Sequence, residues 1–376
     1  MPAPLAYLDH AATTPLRPEA LEAMLPFLTE HFGNPSGSHA VSRTARRAVD
    51  EARDAVARGL GCEPGEVVFT AGGTEADNLA LTGVVAHRGG TVVCSAVEHH
   101  AVLHTTAALG GKVVGVDGSG VIDLDALAAA LDDRVAVVSV MLANNEVGTV
   151  QPMAEVVDVV HRAAPGAVVH TDAVQAFPWL DVATLAAGAD LVAVSAHKFG
   201  GPKGVGALVV RSGVQVQPIV HGGGQERDRR SGTHNVAGIV GMAAAMRATV
   251  EGRDATVARV RPLRDRLADG LLDAVPGAVE TGDRSTRVAG SCHLRFPGLE
   301  SETLLVLLDD AGVCASAGSA CASGAMEPSH VLEAMGVPRA EALASLRLSL
   351  GVTTTDDEID VALKTVPEAV ARLRGE

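Results

Sequence analysis

Six short runs rich in β-branched residues recur along the first 210 positions of this 376-residue chain: Glu66-Val-Val-Phe-Thr70, Thr91-Val-Val-Cys-Ser95, Val135-Ala-Val-Val-Ser-Val140, Ala167-Val-Val-His-Thr-Asp172, Asp190-Leu-Val-Ala-Val-Ser195 and Gly206-Ala-Leu-Val-Val210. Runs that are apolar on both sides suit strands covered on two faces. The segments between them, Glu75 to Arg88, Leu124 to Leu131 and Ala154 to Ala164, carry helical spacing. A strand and helix alternation of this kind dictates an α/β fold with a largely parallel sheet. Ligands of such sheets bind beyond the carboxyl ends of the strands, so polar residues there are the first candidates for function.

After about Glu251 the texture changes. A charged helical stretch runs through Leu272, then strand-like Ser291-Cys-His-Leu-Arg-Phe296, helix-like Glu302 to Asp310, strand-like Ser345-Leu-Arg-Leu-Ser-Leu350 and a helix from Asp356 to Arg374. This reads as a second, smaller α+β domain. Hydrophobic residues make up 47% of the chain and aromatics only 2%, so the cores of both parts are expected to be built from Ala, Val and Leu.

Charge and cysteine usage remove several classes. A net charge of −15 argues against a broad nucleic-acid surface, and no direct nucleic-acid partner is expected. No run approaches the roughly 18 apolar residues of a membrane span, and Met1-Pro-Ala-Pro-Leu5 lacks the basic and apolar regions of a signal peptide. The expectation is a cytoplasmic protein without a membrane partner. Five cysteines, at 62, 94, 292, 314 and 321, form no CxxC pair, which disfavours a disulfide framework or structural zinc.

Among the polar residues near strand ends, Lys198 stands out. The chain has only four lysines, Lys112, Lys198, Lys203 and Lys364, and Lys198 ends Leu191-Val-Ala-Val-Ser-Ala-His-Lys198 just before Phe-Gly-Gly-Pro. Arginine can carry a charge in place of lysine, but only a primary amine forms a Schiff base. A solvated loop lysine is the competing reading, and Lys203 is the competing amine. Gly72-Gly73-Thr74 opens a helix whose free N–H groups suit a phosphate, or serves as a plain Thr N-cap. Asp172 closes a strand with Gln175 three residues on, as a surface cap or as partner of a buried cationic ring. His99 and His100 follow another strand. His100 and His104 share a helix face, yet no HExxH accompanies them, so an acid–base or ring-stacking histidine is favoured over a metal ligand. No P-loop or GxGxxG fingerprint is present, which leaves a nucleotide-binding enzyme unsupported. An amine, a carboxylate, an amide, a phosphate-ready helix start and a histidine together suit pyridoxal 5′-phosphate.

The chain resembles the group I cysteine desulfurases, the nitrogen-fixation and iron–sulfur-cluster type, within the class V aminotransferase family of fold type I. The resemblance rests on Tyr7-Leu-Asp-His-Ala-Ala-Thr-Thr-Pro15, Phe32-Gly-Asn-Pro-Ser36, Phe69-Thr-Ala-Gly-Gly-Thr-Glu75, Glu98-His99, Asn144-Asn-Glu-Val-Gly148, Asp172-Ala-Val-Gln175, Ser195-Ala-His-Lys198, Arg230-Ser-Gly-Thr233 and Ser316-Ala-Gly-Ser-Ala-Cys-Ala-Ser323. It implies a large cofactor-binding domain with a mainly parallel seven-stranded sheet over residues 15–253. Residues 1–14 with 254–376 would form the small domain, with the cysteine loop at about 314–327. It also implies that Lys198 carries the Schiff base, Asp172 pairs with the pyridine nitrogen, Gln175 bonds the ring hydroxyl and His99 stacks on the ring and moves protons. Gly73, Thr74, Ser195 and His197 would hold the phosphate, joined by Thr233 from a second subunit of a homodimer. Asn145 would touch the cofactor and, with Asn34 and Arg347, hold the substrate L-cysteine.

By the same resemblance, Cys321 attacks the substrate sulfur, leaving a persulfide on the enzyme and L-alanine as the other product. Its surroundings, Ala317-Gly-Ser-Ala-Cys-Ala-Ser-Gly324, are small residues with little to pack and read as a mobile loop. Cys314 reads as structural, a redox pair with Cys321 being the lesser option. Two departures bear on the expected sulfur acceptor, an iron–sulfur scaffold or a tRNA-thiolating enzyme. The chain stops at Leu373-Arg-Gly-Glu376 without the longer extension of some members, and Arg227-Asp-Arg-Arg-Ser-Gly-Thr233 is richer in arginine than the usual pattern. A selenocysteine lyase or other pyridoxal-phosphate lyase of this fold is the nearest rival, and a non-catalytic sulfur-relay protein is more remote.

Overall fold

The computed structural model describes residues 5–317 and 327–375, and the features below refer to these residues. The expected sheet forms with seven strands. Their order across the sheet is Val67–Thr70, Gly206–Val210, Leu191–Ser195, Val168–Asp172, Val135–Ser139, Thr91–Ser95 and Lys112–Val114. Gly206–Val210 runs antiparallel to both neighbours, and the five strands from Leu191–Ser195 onward pair in parallel. Six of the seven strands have every residue buried or all but the first, which explains why they lack an inside–outside alternation in sequence. The short edge strand Lys112–Val114 gave no such signal, because Lys112 and Val113 are exposed.

Of four core clusters among the described residues, the two largest mark the two parts of the chain. One packs Val67, Phe69, Val138, Val169 and Val194 of the sheet against Val49, Val56, Ile239 and Met242. The other joins Ala6 and Leu8 to Leu267, Leu294, Leu308, Leu348 and Val366. The second surrounds a three-stranded antiparallel sheet of Val279–Glu280, Ser291–Arg295 and Ser345–Ser349, flanked by the helices Ser301–Asp310 and Asp356–Arg374. Ala6–Tyr7 pairs in parallel with Val313–Cys314, so the start of the described chain belongs to this second unit. One 39-residue helix, Val236–Ala274, runs through both clusters, and it is continuous across positions 253 and 254. Asn235 caps its start by accepting from the Gly238 N–H.

Two long helices carried no reading in the sequence. Pro18–Thr29 begins with Pro at its first turn, where the missing N–H costs nothing, and Ala40–Leu60 ends on Gly61 in the left-handed region (φ 62). Both pack on Val236–Ala274. Among the described residues, no helix is long and apolar enough to cross a membrane.

Candidate active site

The carboxyl ends of the parallel strands converge as the fold class requires. Asp172 is the last residue of Val168–Asp172, and Ser195 closes Leu191–Ser195, whose chain continues into the single 3₁₀ turn Ala196–Lys198. Val67–Thr70 leads through Gly72 to the helix Gly73–Arg88. Gly72 sits at φ 152, open only to glycine, and a Cβ on Gly206 would lie 2.8 Å from its carbonyl carbon. Glycine at both positions lets the helix start press onto the neighbouring strand.

A cavity of about 290 Å³ lies at this edge, lined by Gly73, Thr74, His99, Asn145, Asp172, Gln175, Ser195, His197, Lys198 and Arg347. Ten of the thirteen residues singled out in the sequence therefore share one wall. Asn34 and Thr233 are exposed and line no part of it; Asn34 uses its Oδ1 to accept from the Ser36 N–H. Cys321 lies outside the described residues.

Lys198 donates from Nζ to the carbonyls of Ala11 and, at 2.9 Å, Ala12. Burial pushes its pKa down to about 8; the Arg347 charge adds to this, and Asp172 and Asp9 oppose it. The Ala11 carbonyl also accepts from Gln175 Nε2 at 2.7 Å, so one backbone oxygen of the N-terminal segment orients two side chains of the cavity. Lys203, the rival amine, is exposed in an adjoining open cleft.

Asp172 accepts from the Val174 N–H at 2.8 Å. Burial raises its pKa to about 6, against the pull of that hydrogen bond and of Lys198. Two residues earlier on the same strand face, His170 bonds Ser139 Oγ at 2.8 Å and lies 3.5 Å from Asp77 Oδ1. Burial keeps His170 neutral, with its pKa pushed down to about 3, and pushes the Asp77 carboxyl well above the usual carboxylate range, helped by the charges of Asp172 and Glu98. Asp77 lines the same cavity, and no motif or spacing in the sequence singled it out.

His99 accepts at Nδ1 from the Ala101 N–H at 3.1 Å, capping the helix His100–Ala108, which leaves the ring proton on Nε2 in the neutral form. Desolvation and then the Lys198 charge lower its pKa. The His100 ring lies 4.9 Å from that of His104 and 4.6 Å from that of His330. No group of three or more His, Cys, Asp or Glu among the described residues could hold a metal ion.

Arg347 is buried and its fork is already engaged. It donates from Nη2 to Asp9 Oδ1 at 2.9 Å and from Nη1 to the Asn145 carbonyl at 3.1 Å, while its Nε has no partner. On the opposite side, Thr74, Ser195 and His197 also line the open cleft beside the cavity, at the uncapped start of Gly73–Arg88. His197 faces Thr13 Oγ1 at 3.2 Å, and burial pushes its pKa down to about 4. An uncapped helix start ringed by two hydroxyls and an imidazole is built to receive an anion. Asp9, Ala11 and Thr13 fall within the Tyr7 to Pro15 motif, yet position alone did not show that their backbone and carboxylate orient the site.

The aminotransferase class-V family model matches residues 6–362 of the chain. The chain is 48% identical to an IscS-like cysteine desulfurase of Mycobacterium tuberculosis, with 98% of this chain and 97% of the relative covered. Among solved structures, a NifS-like protein superposes with a TM-score of 0.92 at 38% identity, covering 98% of this chain and all of the other. A structure titled SspA in complex with cysteine gives a TM-score of 0.80 at 31% identity over 93% of this chain and the whole of that one.

Proposed function

The chain belongs to the class-V aminotransferase family, and from that membership we infer that it is a cysteine desulfurase, taking sulfur from L-cysteine and releasing L-alanine. The convergence of Lys198, Asp172, Gln175 and Arg347 on one cavity carries this reading. Members of this family are pyridoxal 5′-phosphate enzymes. The residues present fit that cofactor, since the cavity offers an amine, a buried carboxylate and an amide side by side, with an uncapped helix start adjoining.

When bound, pyridoxal 5′-phosphate supplies an aldehyde for an amine and a ring that accepts electrons. Lys198 is the amine that holds it, and with a pKa near 8 a useful fraction of its Nζ is unprotonated at neutral pH. Asp172 would hold a proton on the ring nitrogen, and Gln175 would bond the ring hydroxyl. Gly73, Thr74, Ser195 and His197 would hold the phosphate. Asn145 borders cofactor and substrate, and Arg347 binds the substrate carboxylate, for which a planar fork is suited. His99, with its ring proton on Nε2, would cover the ring and move protons.

Cys321 supplies the thiolate that attacks the substrate sulfur. A sulfur–sulfur bond forms as the carbon–sulfur bond breaks, leaving a persulfide on Cys321. Its outer sulfur then passes to an acceptor protein, an iron–sulfur scaffold or a tRNA-thiolating enzyme. Thr233 and Asn34, exposed and remote from the cavity of their own chain, complete the cavity of a second copy in a homodimer. Incubation of the purified protein with L-cysteine tests the reading: alanine and protein-bound persulfide form together, and formation of neither refutes it.

A further inference from the structure

A second cavity of about 50 Å³ lies between the large sheet and the antiparallel sheet, and shares Lys198, Gln175 and Asn145 with the first. Its wall holds two arginines, Arg17 and Arg253, and no carboxylate. Arg253 is only 9% exposed. Its Nε and Nη2 have no hydrogen-bond partner, and the guanidinium stands over the Phe177 ring with its carbon 5.4 Å from the centroid. Arg17 donates from Nε to the Phe199 carbonyl at 3.1 Å, which orients its fork. Neither arginine forms an ion pair among the described residues.

A buried guanidinium without a partner is costly, since it gives up hydration and receives no hydrogen bond in return. Every other buried arginine outside this cavity hydrogen-bonds: Arg53 to Glu226, Arg264 to Asp265, Arg287 to Glu280 and Arg347 to Asp9. His10, 5% exposed on the same wall, also has neither ring nitrogen hydrogen-bonded, and burial pushes its pKa down to about 4, so it adds no positive charge. The remaining lining combines the apolar Trp179, Phe199 and Leu350 with the polar Asn145, Gln175, Thr249 and Ser291. At about 10–15 Å³ of such volume per water-sized group, the space admits three to five non-hydrogen atoms.

We propose that this cavity is a second ligand site, for a short-chain monocarboxylate whose charge meets Arg253 and Arg17 and whose tail lies against Trp179. It is separate from the carboxylate role of Arg347, which does not line it. The proposal does not depend on the desulfurase reading, because its test uses no turnover. A ligand here touches Lys198 and Gln175, so its occupancy is felt in the first cavity.

Trp179 is the only tryptophan of the chain, which makes its fluorescence a direct reporter. The holoenzyme is titrated with sodium propionate, with sodium chloride at matched ionic strength as reference. A saturable change specific to propionate is expected, together with a rise in melting temperature. Arg253→Met raises the half-saturating concentration at least about tenfold and cancels the thermal shift, while Arg253→Lys keeps part of both. Arg17→Met, tested in the same way, gives an independent arm should Arg253→Met fail to fold. No propionate-specific response in the unsubstituted protein, or an equal response in the methionine variants, overturns the proposal.

Discussion

Ser316 and Arg347 exchange backbone hydrogen bonds in both directions, at 3.1 and 2.7 Å. The strand position that points a guanidinium into the cavity therefore also holds the chain on its way to Cys321. On the return side, the Ser329 hydroxyl donates to the buried Glu146 carboxyl, next to Asn145 of the cavity wall. Both ends of the interval containing Cys321 are tied to the rim of the site by these two contacts.

The second tie titrates. Burial raises the Glu146 pKa from 4.5 to about 7, outweighing the Ser329 hydrogen bond and the Arg347 charge that favour its ionised form. The native state therefore keeps a proton that the unfolded chain gives up. The contribution is fully present below pH 4.5 and is lost as pH rises through about 7; the interval corresponds to roughly 3 kcal/mol. Relative to Glu146→Gln, the unsubstituted protein should lose stability steadily between these pH values. Urea unfolding at four or five pH values measures it, and parallel curves for the two proteins refute it.

The proposed function makes Lys198, and not Lys203, the anchoring amine. Lys198→Ala should lose the yellow covalent chromophore and at least about a thousandfold in desulfuration. Lys203→Ala, altering an exposed side chain, should keep the colour. Visible absorbance after addition of pyridoxal 5′-phosphate and gel filtration distinguishes the two, and a Lys198→Ala protein that stays yellow removes the assignment.

Cys321→Ser should bind the cofactor as the unsubstituted protein does and yield no persulfide or sulfide from L-cysteine. The check is alanine formation alongside alkylation and mass measurement of the protein. Normal turnover with an acceptor would make Cys321 a bystander.

Asp9 orients Arg347 through a single 2.9 Å contact. A charge-assisted bond of this kind contributes about 1.5–3 kcal/mol, so Asp9→Ala, which removes the acceptor, should raise KM for L-cysteine about tenfold or more, with a smaller change in kcat. Steady-state kinetics settle this, and a fall in kcat alone would instead place Asp9 in the chemical step.

Much of this was legible beforehand. The strands from Thr91–Ser95 to Leu191–Ser195 announced themselves because strands covered on both faces must be apolar at nearly every position. Lys198, Asp172, Gln175 and Thr74 could be picked out because an α/β sheet delivers its functional residues at predictable ends. Lys112–Val114 and the two early helices escaped, since short exposed strands and helices whose apolar positions wait for a distant partner leave little local signal.

The sequence by itself determined the fold class and singled out the candidate amine with the residues that share its cavity, because local periodicity and a rare residue type are properties of the chain alone. Tertiary structure alone decided what holds them. Ala11 receives both Lys198 and Gln175 across more than 160 residues, Asp77 lines the same cavity as Asp172, and Arg17 and Arg253 line a second one. Such contacts depend on long-range packing and on loss of water, and neither is written in the spacing of residues along a strand or helix.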